Sequence, residues 1–162
     1  MLVVCSCHSL ISQTNKKIQD GFYEVVKATN KKSYNDTLTG NTITIGFNRH
    51  FLENAPADAS RLVIYTNEFV PLQLKKLPDL ENSTQLKSKL RINLTDRSAE
   101  KLRSFTKTRV LKQMVIVIDG EALSMHKIKE PLSGDGFEIT GCSKEACEKL
   151  NAAILVHPWQ MM

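Results

Sequence analysis

The sequence predicts an α+β domain: an antiparallel sheet with two helices packed on one face, in the order β-α-β-β-β-α over its second half. Three observations carry that prediction. Residues 113–118 contain the run Met-Val-Ile-Val-Ile, apolar on both alternations, as in a central strand covered on both sides. Asp119-Gly120 follows at once and is a strong hairpin signal. Two stretches, opening at Thr95 and Ser143, place apolar residues at helical spacing behind a capping side chain.

In chain order, residues 8–20 are polar and read as a tether. Residues 22–26 are aromatic and β-branched, predicting a short strand. Residues 29–40 read as a polar loop. Residues 42–47 alternate with period two, as a half-buried strand does. Residues 48–60 suit a loop, and residues 62–65 another short strand. Residues 69–80 hold Pro71 and Pro78 and are expected to be irregular.

The second half is better marked. Residues 90–94 alternate and read as a strand. Thr95 is the expected N-cap of a helix, with Asp96 favourable in its first turn. Ala99, Leu102 and Phe105 form the apolar face of that helix, and charged residues fill the rest. After the Asp119-Gly120 turn, residues 121–128 read as the returning strand. Residues 131–136 form a turn-rich loop, and residues 137–140 a last strand. Ser143 then caps a final helix whose apolar face is Ala146, Cys147, Leu150, Ala153 and Ile154, stopped near Pro158. The organisation reads as 1–20 tether or export-signal remnant, 21–80 N-terminal strands and loops, 81–157 α+β domain, and 158–162 tail.

The chain has 162 residues and a formal net charge of +5. The excess is local: residues 71–112 hold eleven Lys or Arg against four acids. Such a stretch suits nucleic acid, anionic lipid or an acidic partner, and equally a solvated helix face. No run is long enough to span a bilayer as a helix. Val4-Cys5-Ser6-Cys7 has the form of a lipoprotein cleavage site, in which Cys7 would carry the lipid. The other reading of that segment is a frayed apolar end.

No catalytic, metal or cofactor site is expected. His8, His50, His126 and His157 show no pair spacing with the cysteines, and no Cys pair has redox spacing. A Cys142–His126 nucleophile has no supporting motif. Gly134-Asp135-Gly136 is a bare turn rather than a phosphate cradle. Asp119 is read as a turn residue.

One ordered set of residues resembles a known family. Val115-Ile116-Val117-Ile118-Asp119-Gly120 is followed by Ala122-Leu123-Ser124, Ile128-Lys129-Glu130-Pro131-Leu132, Ile139-Thr140-Gly141 and Ser143-Lys144-Glu145-Ala146. Leu94-Thr95 and Phe105-Thr106 precede it. Together these residues, from Lys89 to Ile154, resemble the head subdomain of the first periplasmic domain of SecD/SecDF export components. Ser124-Met125-His126 departs from the small residue and proline usual there. The transmembrane helices that couple protons to export in that family are absent from this sequence, so transport does not carry over. The resemblance implies an exported, periplasmic, non-enzymatic module that binds protein or unfolded polypeptide, free-standing and held at a membrane only through a lipid on Cys7.

The expected partner surface is the loop Pro131, Leu132, Ser133, Gly134, Asp135, Gly136 with the nearby sheet edge, which can accept an extended peptide. In an oxidising compartment a disulfide is expected between Cys142 and Cys147. With Ser143 as cap, these occupy the two positions of a hydrophobic staple. Two buried thiols are the alternative. A small basic nucleic-acid-binding domain is the competing function, but the central strand lacks the paired aromatics that stack bases, so no nucleic acid is expected.

Overall fold

The computed structural model describes residues 18–31, 41–47, 56–82 and 87–156. Eight strands and two helices follow one another: β1 (Gly21–Thr29), β2 (Thr42–Phe47), β3 (Arg61–Pro71), β4 (Asp79–Asn82), β5 (Lys87–Asn93), α1 (Asp96–Lys107), β6 (Gln113–Ile118), β7 (Glu121–Lys127), β8 (Gly136–Ser143) and α2 (Lys144–Leu155). The second half therefore has the expected β-α-β-β-β-α order in a mixed α+β fold.

The single sheet does not form. The strands divide into a closed barrel, β1-β3-β2-β7-β6, and a three-stranded sheet, β4-β5-β8. The reason lies in β6. Its two apolar faces both need cover, and neighbours arrive from the first half of the chain to provide it. β1 pairs antiparallel with β6, Gly21 opposite Val117 and Val25 opposite Gln113. β2 closes the barrel through a short parallel contact with β7, Gly46 opposite Glu121 and Phe47 opposite Ala122. The expected division at residue 80 runs through β4.

Two apolar cores result, and β6 separates them. Val115 and Val117 join Tyr23, Val25, Ile45, Leu62, Ile64, Ala122 and Met125, drawn from all five barrel strands. Met114, Ile116 and Ile118 face the other way, into a core shared with both helices and the three-stranded sheet. All five apolar residues of β6 are at most 4% exposed. The β6–β7 ladder shifts register between Ile116 and Val117, so Leu123 is an inserted bulge residue. Leu123 accordingly joins the outer core while Ala122 stays in the barrel.

The helices do not cover a common face of one sheet, as expected from sequence. α1 lies against β3 of the barrel, and α2 lies against β4, β5 and β8. Their apolar faces still meet in the same outer core, with Leu102 and Phe105 from α1 and Leu150 and Ile154 from α2. β5 alternates cleanly, with Leu90 and Ile92 inward and Lys89 and Arg91 in solvent.

Local chemistry sets the joints. Thr95 caps α1, its hydroxyl accepting from the Ser98 N–H, with Asp96 in the first turn. Asp119 and Gly120 take φ of 51° and 77°, the two positive values a tight hairpin needs. The Asp119 N–H donates to Asp20 Oδ1 at 2.9 Å, tying the hairpin tip to the entry of β1. Residues 69–71, expected to be irregular, continue β3 and pair with residues 21–23 of β1. Pro71 is tolerated because it is the last residue of the strand, where a missing N–H costs little.

Candidate functional site

β8 pairs with β5 alone among the described residues, which leaves its other side as a sheet edge. The loop of residues 131–136 leads directly into it. Thr106 and Leu94 hold this loop at its two ends. The buried Thr106 hydroxyl accepts from the Leu132 N–H at 3.0 Å and donates to the Leu102 carbonyl at 2.8 Å. The Leu94 N–H donates to the Asp135 carbonyl at 2.7 Å. Leu132 packs against the outer core. Gly134 stands at φ 94°, and a Cβ on Gly136 would lie 2.4 Å from the Ile92 carbonyl oxygen, so both turn positions demand glycine. The loop is thus pinned at both ends, with Pro131 and its crown, Ser133–Asp135, standing in solvent.

Two depressions flank the start of β8. One, of about 450 Å3, mixes apolar Met114, Ile128, Leu132, Phe137 and Ile139 with charged Lys127, Lys129, Glu130 and Glu138, and His126 lies beside them. The other, of about 380 Å3, is polar, formed by Arg91, Asn93, Ser133, Asp135 and Glu138. Phe137 and Glu138, at the start of β8, border both hollows.

On the polar side, Arg91 Nε donates to Glu138 Oε1 at 3.1 Å across the strand pair. The hydrogen bond from Arg91, then its charge, hold the exposed Glu138 carboxyl below its usual range. On the apolar side, Ser124 Oγ and His126 Nε2 share a hydrogen bond. Burial lowers the His126 pKa from 6.5.

A third hollow, of about 550 Å3, lies between α1 and β3 and is bounded by Phe69, Phe105 and Arg109. Arg109 is its organising residue. Its Nε donates to Glu24 at 2.9 Å, its Nη2 reaches Glu68, and its guanidinium lies 4.0 Å over the Phe105 ring. This hub escaped the sequence reading because Glu24 lies 85 positions away. The only local trace is a basic residue just beyond a helix end.

Of the other expected positions, Cys7, His8, His50, His157 and the tail lie outside the described residues. Cys142 is the last residue but one of β8, and Cys147 is fully buried at the fourth position of α2. Among the described residues no group of three His, Cys, Asp or Glu is placed to hold a metal ion. No described helix is long and apolar enough to cross a membrane.

The model of the SecDF P1 head subdomain matches residues 59–156, well over half of the chain. The chain belongs to the SecDF P1 head family. The match starts thirty residues before Lys89, where the motif resemblance begins, and so takes in β3 and β4. Two solved structures are also similar. One is of a membrane component SecDF that enhances protein export, at 16% identity and a TM-score of 0.44 over 85% of this chain. The other is SecDF in a super-membrane-facing form, at 17% identity and a TM-score of 0.44 over 82%. The chain spans 63% of the first and 18% of the second. No curated protein matches it.

The buried imidazole makes a pH prediction. With its folded pKa depressed, the unfolded chain takes up the proton first as pH falls. The stabilisation is complete above 6.5 and declines as pH drops through and below that value. Melting temperatures taken from about pH 7.5 down to about 5 should fall more steeply in the wild type than in His126→Gln. Parallel curves would contradict this placement of His126.

Proposed function

We propose that this domain is an exported, non-enzymatic protein-binding module of the SecDF head type, linked to protein export, which takes up an extended polypeptide as an added strand on β8. The observation that carries the reading is the β8 edge between a largely polar hollow and one that mixes apolar and charged side chains. Strand addition draws affinity from main-chain hydrogen bonds and selectivity from alternate side chains. Here the alternate side chains of the guest would meet Ile128, Leu132 and Ile139 on one side and Arg91 and Glu138 on the other. The pinned loop offers a preformed wall, which lowers the ordering cost of binding. Membership of the family supports the link to export. A periplasmic location, with a lipid on Cys7 as the anchor, completes the proposal.

A disulfide between Cys142 and Cys147 belongs to the same proposal, since it needs an oxidising compartment. Cys147, buried in α2, supports it, as does Cys142 five residues upstream near the end of the adjoining strand. Closing so short a loop is worth about 2 kcal/mol.

Hydrogen exchange tests the docking edge. An excess of a reduced, permanently unfolded polypeptide should slow exchange at residues 137–140 and leave β4, the opposite edge of that sheet, unchanged. No protection anywhere on β8 would remove the strand-addition reading. Thiol titration tests the crosslink. The unprocessed, non-lipidated chain, denatured without reduction, should show two of its four cysteines as free thiols, and all four after reduction. Four without reduction would rule the bond out.

A further inference from the structure

The connection from α1 to β6 displays an apolar tip at a conformational cost. The Lys112 N–H donates to the Arg109 carbonyl at 3.0 Å, closing a four-residue turn with Val110 and Leu111 at its centre. Leu111 has φ 69°. That left-handed value at the third turn position normally calls for glycine or asparagine. Strain of this kind persists only where the surroundings impose it or function needs it. Burial does not compensate here, because Leu111 is 68% exposed and Val110 40%.

The turn is nevertheless held firmly. The Leu111 N–H donates to the Ile128 carbonyl at 2.7 Å, and the Ile128 N–H donates to the Lys112 carbonyl at 2.9 Å. Arg109, at its base, is anchored on Glu24, Glu68 and Phe105. Exposed lysines lie on the segments that form or hold the tip: Lys107 ends α1, Lys112 follows the turn, and Lys127 and Lys129 flank Ile128. Glu130 is the one exposed acid on these segments. Glu24 and Glu68 beneath them are already paired with Arg109, and Glu24 also lies 4.0 Å from Lys112 Nζ.

We propose that this turn docks the domain onto an anionic lipid surface, with Val110 and Leu111 entering the interfacial layer and the four lysines meeting headgroup charge. An apolar tip inside a basic ring is the composition of interfacial anchors. Val110 and Leu111 line none of the three hollows described above. A deformable lipid layer accepts a projecting tip, whereas a protein partner would need a matching hollow. The proposal does not depend on peptide binding at β8.

Cosedimentation of the full chain carrying Cys7→Ser, which removes the proposed lipid, tests it, using vesicles of phosphatidylcholine alone or with about one third phosphatidylglycerol. The chain should bind the anionic vesicles at low salt and lose them at high salt, and it should ignore the neutral ones. Leu111→Gly relieves the backbone strain, so it should not lower Tm, yet it should weaken vesicle binding about tenfold. Each lysine of the ring changed to Gln should cost about fivefold at low salt. Equal binding to both vesicle types, or anionic binding unchanged in Leu111→Gly, would overturn the proposal. Retention of an acidic polypeptide without vesicle binding would also overturn it, by assigning the turn to a protein.

Discussion

The structure depends on covering both faces of one strand. β6 carries five apolar residues in a row, so either face left in water would forfeit several fully buried side chains, each worth about 1.5–3 kcal/mol. Barrel closure covers the face of Val115 and Val117. The outer core covers the face of Met114, Ile116 and Ile118. Everything else follows from supplying that cover: β1 beside β6, the bulge at Leu123, and α1 laid across β3. The strand acts as a wall common to two cores, and that couples the first half of the chain to the second.

The family motif has a physical content that the coordinates make explicit. The Asp119-Gly120 pair supplies the two positive φ values of the hairpin, and Asp119 also ties that hairpin to Asp20. Thr95 caps α1, and Thr106 near its end fastens the loop that feeds β8. These residues build the frame rather than perform chemistry. Kinship through them therefore speaks to the fold first, and to function only through the edge the frame presents.

Local signals in the sequence were sufficient for most elements. β2 and β6 occur at the predicted residues, and the α1 cap and the hairpin turn lie where turn chemistry and periodicity put them. What escaped the sequence is non-local. Nothing near Gly46 announces a parallel partner at Glu121, so the barrel and the split into two sheets were invisible. Pro71 and Pro78 signal breaks in regular structure, yet one ends a strand and the other precedes one, where prolines are harmless. The β8 edge is half legible: the turn residues mark loop 131–136, but its pinning by Thr106 and Leu94 depends on partners 26 and 41 residues away. The Leu111 strain left no sequence trace, because a leucine in a turn is unremarkable until its φ is known.

The shared wall is open to a direct test through Ile116→Ala, which removes volume only from the outer core. Thermal unfolding followed by methyl NMR would watch Val117 inside the barrel and Leu150 on α2 at once. Coupling through β6 predicts that both signals disappear at a single, lowered midpoint, with a destabilisation of about 2–5 kcal/mol. A barrel signal that keeps the wild-type midpoint while Leu150 melts early would contradict the account, for the two cores would then be separate units.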